Sequence, residues 1–176
     1  GSAIDPETGM LYIPSRTTVS VLSVEKDEDS DVAFSQSYGV RVPRVNGLPI
    51  VKPPYGRITA IDMNSGDHAW MIANADTPER IANNPALAGV DLPRTGIETK
   101  SGILLTKTLL FAGEGVGGGP TLRAHDKMTG EIIAEIELPN AQTGVPMTYE
   151  HNGKQYLVMV VSGGGTAAEI VAYALP

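Results

Sequence analysis

Ala60-Ile61-Asp62-Met63-Asn64-Ser65-Gly66-Asp67-His68-Ala69-Trp70 is written twice in this chain, returning as Ala124-His125-Asp126-Lys127-Met128-Thr129-Gly130-Glu131-Ile132-Ile133-Ala134. The shared frame is Ala-x-Asp-x-x-Ser/Thr-Gly-Asp/Glu, each time after one β-type run and before another. A weaker echo, Ala3-Ile4-Asp5-Pro6-Glu7-Thr8-Gly9, opens the chain. Repeats tens of residues apart signal stacked supersecondary units. Because these units are made of strands, they point to a β-propeller rather than a helical solenoid. The frame reads as scaffold. A small Ala at the end of a blade's third strand lets the next blade approach. The Asp takes backbone amides of the turn, and the Gly supplies the positive φ the turn requires. Trp70, the only Trp, is expected to bury its flat face between blades and donate its N–H to a carbonyl. Its place in the second copy falls to Ala134 or Glu135.

Outward from the repeat, Met10-Leu11-Tyr12-Ile13 is a short β run after a turn-former. The pattern then loosens from Pro14 to Pro54 into a long surface insertion, with a hairpin expected around Val19–Val24 and Val40–Val42. Loops of that length are usually functional or in contact with something. Arg57–Ile61 and His68–Ile72 restore the strand pattern. Asp76-Thr77-Pro78-Glu79-Arg80-Ile81-Ala82 reads as a short helix with Asp76 as N-cap and Glu79 completing a capping box, ended by Pro85. Further strands are expected at Ile103–Thr106, Leu109–Ala112, Thr121–Ala124, Ile132–Leu138, Val145–Tyr149, Tyr156–Val161 and Ile170–Leu175. Asn152-Gly153 marks a hairpin between two of them. The fold expected is all-β, a partial β-propeller of four-stranded antiparallel blades forming a single domain over residues 1–176. One blade covers 2–73 with the insertion 14–54 inside it, a second covers 97–139, and an incomplete last blade covers 143–176. A blade takes about 40–50 residues and a closed ring needs at least four. About two and three-quarter blades cannot close a ring alone.

Composition narrows the function. The formal charge is −7 over 176 residues, with a pI near 4.9, which opposes a nucleic-acid groove built on a basic stripe. No apolar run approaches the roughly 18 residues of a membrane span. Cysteine is absent, which removes disulfides and thiolate metal sites. Gly1-Ser2 reads as a cloning remnant, and the chain's start as an artificial boundary. Gly113-Glu114-Gly115-Val116-Gly117-Gly118 satisfies Gly-x-Gly-x-x-Gly. A dinucleotide site needs a helix next, and here Gly119-Pro120 and a β run follow. Asp27, Asp29 and Asp31 alternate as in an EF-hand, yet Val32 replaces the glycine and Tyr38 the final Glu. A solvated acidic loop fits them better. His68, His125 and His151 share no ligand pattern, and Ser162 lies in no nucleophile elbow.

Longer stretches resemble a known family. Pro53-Pro54-Tyr55-Gly56-Arg57-Ile58-Thr59-Ala60-Ile61-Asp62, Leu109–Gly115, Thr143–Tyr149, Asn152–Tyr156 and the closing Ala172-Tyr173-Ala174-Leu175-Pro176 resemble the quinoprotein dehydrogenases, nearest to the membrane-type glucose dehydrogenases. That resemblance implies the C-terminal part of an eight-bladed propeller with pyrroloquinoline quinone (PQQ) and Ca²⁺ on its axis. It also implies a periplasmic enzyme that oxidises a sugar or alcohol hydroxyl to a carbonyl and passes electrons to a quinone acceptor. The family's catalytic aspartate, main calcium ligands and cofactor-clamping lysine or arginine lie upstream of the matched part, so the resemblance assigns no catalytic residue and no metal ligand here. It does imply a cofactor-facing role for Lys100-Ser101-Gly102, where relatives carry a Trp–Gly pair. It implies the same for Gly163-Gly164-Gly165-Thr166, where relatives carry a Trp or His. The chain alone is then expected to be inactive, its missing blades supplied by more of the protein or by a homo-oligomer. The alternative is a stand-alone β module that self-associates as a binding or structural unit.

Overall fold

The computed structural model describes residues 1–37 and 40–174. The chain begins with β1 (Ala3–Asp5) and β2 (Met10–Arg16). It then makes two small hairpins, β3 (Ser23–Lys26) with β4 (Phe34–Ser37) and β5 (Arg44–Val45) with β6 (Leu48–Pro49). It returns through β7 (Gly56–Asp62) and β8 (His68–Ala73), completing an antiparallel sheet ordered β1-β2-β7-β8. A short helix, α1 (Glu79–Ala82), and a 3₁₀ turn at Pro85–Leu87 lead to the second sheet. That sheet consists of β9 (Ile103–Leu105), β10 (Leu109–Gly113), β11 (Thr121–Asp126) and β12 (Ile132–Glu137) in sequence order. The third holds β13 (Met147–His151), β14 (Lys154–Gly163) and β15 (Thr166–Ala174). The architecture is nearly all-β: four-stranded antiparallel blades, part of a propeller.

The repeated frame does in structure what its residue types require. Asp62 Oδ1 accepts from the Asn64 amide at 2.8 Å, and Asp126 Oδ1 accepts from those of Met128 and Thr129 at 2.8 and 2.9 Å. These amides hold the Asp126 carboxyl below the usual carboxylate range. In the opening echo Asp5 Oδ1 accepts from Glu7. Gly9, Gly66 and Gly130 all take the positive φ of a tight turn, accessible at no steric cost only to glycine. The register pairs Ala60 with Trp70 and Ala124 with Ala134, with an irregularity directly after each Ala. Ala134 therefore holds the second copy's Trp position.

The sheets stack through two apolar seams. Met10, Tyr12, Ile58 and Ala60 meet Ile103, Leu110 and Ala112 across the first, with Trp70 packed against them. Phe111, Leu122, Ala124 and Leu138 meet Leu157, Met159 and Val161 across the second. The alternation in β11 explains how one strand serves both: Leu122 and Ala124 join the second seam, while Arg123 and His125 turn to the other face.

Local expectations fail at three points. Asp76 does not cap the helix. α1 spans one turn, Pro78 occupies the N-cap without a side-chain bond, and Asp76 is drawn to Arg94 and Arg123 instead. Pro85 opens the 3₁₀ turn, capped by Asn84 through the Ala86 amide at 2.9 Å. The insertion's hairpin does not join Val19–Val24 to Val40–Val42. It closes earlier, β3 on β4, because the acidic stretch makes its turn: Asp27 Oδ1 accepts from the Asp29 amide and the Asp27 amide donates to Ala33. Tyr38, Leu175 and Pro176 lie outside the described residues. Among the described residues no helix is long and apolar enough to cross a membrane.

Candidate functional site

Strand direction sorts the loops into two sets. The Asp-x-x-Gly turns close one end of the sheets. The other end carries the insertion, the 113–120 loop, the turn at Gly163–Thr166 and the connectors that cross between sheets. Both candidate segments lie at this second end.

Lys100 forms an isolated antiparallel bridge with Val116 at the tip of the 113–120 loop. Thr99 Oγ1 donates to the Glu114 carbonyl, and Ser101 Oγ donates to the Gly113 carbonyl at 2.6 Å. A Cβ on Gly115 would lie 2.1 Å from the Lys100 carbonyl oxygen, so glycine is required for this approach. Gly113–Gly118 is thus a clasp on the 99–101 segment that leads into β11, a strand, and the dinucleotide reading is excluded. Gly163, Gly164 and Gly165 all have positive φ, and a Cβ on Gly164 or Gly165 would meet nothing within 4 Å. Thr166 Oγ1 closes the turn by donating to the Gly163 carbonyl at 2.7 Å.

One connector holds both segments. Asn140 Nδ2 donates to the Gly163 carbonyl at 3.0 Å and to Thr166 Oγ1 at 2.7 Å. Two residues on, Gln142 Nε2 donates to the carbonyls of Gly102 and Gly144 at 2.8 and 2.7 Å. Gln142 is also bridged to Val161. Sequence reading missed both amides, since an Asn and a Gln in a loop carry no pattern.

It also missed the charge hub beneath the clasp. The Arg123 side chain is only 2% exposed. Its Nη1 meets Glu114 Oε1 at 2.6 Å, its Nε meets Glu135 Oε1 at 2.6 Å and its Nη2 meets Asp76 Oδ2 at 2.9 Å. Burial alone would pull the guanidinium's pKa down, but the bonds to Glu114 and Glu135 raise it and keep it charged. Glu114 Oε2 in turn accepts from the Gly119 amide at 2.7 Å. The available signal was a charge between Leu122 and Ala124, inside a β run.

Between the first and second sheets at this end lies a cleft of about 260 Å³, lined among others by Arg16, Arg57, Asn74, Lys100 and Ser101. No carboxylate lines it. Asn74 is buried, its Nδ2 donates to the Gly113 carbonyl at 3.2 Å, and its Oδ1 has no partner. Chemically, this end of the molecule offers cations, exposed backbone at the glycine turn and two buried acceptors without a partner, Asn74 Oδ1 and Gln142 Oε1.

The family model for the β-propeller domain of PQQ-type glucose/ethanol/alcohol dehydrogenases matches residues 1–157. The chain belongs to the PQQ-dependent quinoprotein dehydrogenase family. It is 33% identical over 150 residues to the glycerol dehydrogenase large subunit of Gluconobacter thailandicus, covering 79% of this chain and 20% of that protein. It is 31% identical over 152 residues to quinoprotein glucose dehydrogenase A of Acinetobacter calcoaceticus, covering 81% and 18%. The quinohemoprotein alcohol dehydrogenase of Comamonas testosteroni shares the fold, with a TM-score of 0.58 and 20% identity over 91% of this chain and 21% of that one. The chain therefore spans about a fifth of the length of these quinoproteins.

Proposed function

We propose that this chain is a part, toward the C-terminal side, of a periplasmic PQQ-dependent dehydrogenase that oxidises a sugar or alcohol hydroxyl to a carbonyl. The observation that carries this reading is the family match across residues 1–157, in a chain whose loops gather a cation and a glycine turn at one end. PQQ is a planar tricarboxylate, and bound PQQ would supply the two-electron acceptor for the hydroxyl. The residues present suit such an anion. Among the described residues Lys100 is exposed and has no carboxylate partner, and the exposed positive-φ glycines at 163–165, without side chains, leave backbone that an anionic ligand can approach. Lys100-Ser101-Gly102 and Gly163-Gly164-Gly165-Thr166 are the segments assigned to hold it. Their task is to bind and orient, with Asn140 and Gln142 fixing the two segments relative to each other.

Calcium does not fit in the same way. Among the described residues no three His, Cys, Asp or Glu side chains gather as a metal site, so no step is assigned through calcium. A proton acceptor for the hydroxyl is likewise not assigned. The chain by itself is expected to bind without turning over, and a quinone acceptor would be served only by the assembled enzyme.

The test is a calorimetric titration of the folded chain with PQQ, with solution mass measured on the same sample, followed by a turnover assay on glucose and glycerol. Saturable PQQ binding weakened by Lys100→Gln, with no turnover, is the expected result. Steady-state oxidation by this chain alone would sink the claim of inactivity, and absence of PQQ binding would sink the cofactor contact.

One observation favours a second reading, self-association. Ile4 and Met71 in the first sheet and Met147, Tyr149 and Ile170 in the third are exposed apolar side chains, as blade faces without a neighbour would be. A solution mass of two or more chains supports that reading. A monomer removes it.

A further inference from the structure

We infer that Arg123 and Glu114 are positioning residues: together they latch the glycine loop 113–119 over residues 99–101 and so fix where Lys100 stands. This rests on the dehydrogenase reading, in which Lys100-Ser101-Gly102 faces the cofactor, and adds to it the two residues that set the segment's place. The loop reads Gly113-Glu114-Gly115-Val116-Gly117-Gly118-Gly119. Glycine loses more conformational freedom than any other residue when it is fixed, and only Glu114 and Val116 carry side chains whose contacts could offset that loss. Val116 is 61% exposed. The Glu114 side chain is only 6% exposed, so it is the loop's one buried side-chain anchor.

Both oxygens of that anchor are used. Oε2 accepts from the Gly119 amide at 2.7 Å and closes the loop on itself, while Oε1 meets Arg123 Nη1 at 2.6 Å. Arg123 is in turn held from two other sides, its Nε by Glu135 on β12 and its Nη2 by Asp76, which follows β8 of the first sheet. A planar guanidinium bonded to carboxylates on three sides has one orientation, so Glu114 docks on a fixed point. The grip on the neighbouring segment then passes through backbone. Thr99 Oγ1 donates to the Glu114 carbonyl, Ser101 Oγ donates to the Gly113 carbonyl at 2.6 Å, and Lys100 is bridged to Val116. Among the described residues none of these contacts uses the Lys100 side chain, which is exposed. The latch therefore places the Lys100 backbone and leaves its ammonium in solvent, where a ligand can meet it.

The experiment compares Glu114→Gln with Glu135→Gln in the full chain, by amide hydrogen exchange, urea unfolding and titration with PQQ. Each variant removes one carboxylate from Arg123 at nearly unchanged volume, but only Glu114 belongs to the loop. A glutamine has one acceptor oxygen where the carboxylate has two, so its NH2 must face either Arg123 or the Gly119 amide, donor against donor. Glu114→Gln is expected to speed exchange across 99–102 and 113–119 about tenfold or more relative to the seam strands β2 and β14, as loss of a charge-assisted hydrogen bond implies. Glu135, whose side chain is 52% exposed, is expected to change that ratio less than about twofold when replaced by Gln. Gly118→Ala, whose Cβ would lie 2.5 Å from Glu114 Cβ, dislodges the anchor without removing a charge and is expected to reproduce the first result. The inference is overturned if neither Glu114→Gln nor Gly118→Ala speeds exchange in the two segments, if exchange rises equally in the seam strands, or if Glu135→Gln raises it as much. PQQ affinity is expected to fall about fivefold or more in Glu114→Gln, since a loosened segment must be ordered again on binding. If the wild type binds no PQQ, or the variant binds it equally well with the clasp open, the cofactor role of Lys100-Ser101-Gly102 falls, while the exchange contrast still decides the latch.

Discussion

The two seams bury similar apolar strips, yet they are locked in different ways. Across the first, Trp70 Nε1 donates to the Lys127 carbonyl at 3.2 Å, its ring lies against Gly130, and Tyr12 sits 5.8 Å away, centroid to centroid. Lys127 Nζ reaches back to Asp5 at 2.5 Å and lowers that carboxyl's pKa, while Arg123 reaches Asp76. Across the second, among the described residues, no ion pair crosses and Ala134 stands where a tryptophan would dock. Apolar packing alone brings blades together, since it is non-directional. The polar and aromatic locks fix which surface meets which, and this chain concentrates them in one seam.

The largest effect expected is from Arg123→Ala, which strands the buried Glu114 and costs about 3–5 kcal/mol in urea unfolding. A loss below about 1 kcal/mol would break the claim that the first seam is polar-locked. Trp70→Ala is expected to cost about 3 kcal/mol, the low end for a large aromatic because the ring is only half-buried.

These locks were unequally legible in the sequence. Trp70 and the turns of Asp62 and Asp126 were readable because each does its work within a local frame that repeats. Arg123 was not, because its partners Asp76, Glu114 and Glu135 are assembled by the fold from separate segments. The same override misled the reading of Asp76: as a helix cap it had a local rationale, but a long-range cation outcompeted the amide. The insertion's hairpin failed for a different reason. Its valines suggested strands, but Asp27 decided where the chain turned. Of the candidate site, Lys100–Gly102 and the glycine turn were legible only through family resemblance, and Arg16, Asn74, Asn140 and Gln142 offered no pattern at all.

A smaller effect separates the seams by pH. His125 lies buried on the first seam's side, its Nδ1 bonded to the Gly130 carbonyl at 2.9 Å, and burial pushes its pKa below the ordinary value. The folded state therefore favours the neutral ring. That contribution is complete above the unfolded value of about 6.5 and is lost as pH falls toward the folded one. Wild-type stability is expected to fall as pH drops through about 6.5 and below, and His125→Gln should reduce that fall; an unchanged slope would detach His125 from the first seam's stability. The smallest effect belongs to Ala134→Trp, expected within about 0.5 kcal/mol of wild type. A tryptophan there has the register of Trp70 but no described turn to dock on. A clear gain would show that the second seam lacks only a ring.

The insertion leaves β2 and β7 paired without interruption from Met10 and Asp62 to Arg16 and Gly56, and the ladder continues into Thr17 and Tyr55. Lengthening a flexible loop costs only logarithmically in closure entropy, so the two strands are a doorway whose frame ignores what passes through it. Evolution, or an engineer grafting a recognition loop, can rewrite much of that stretch while the β2–β7 ladder stays paired, at the cost of local contacts such as the Asn46 carbonyl with Asn84, and each rewrite emerges at the end of the molecule where ligands are expected to arrive.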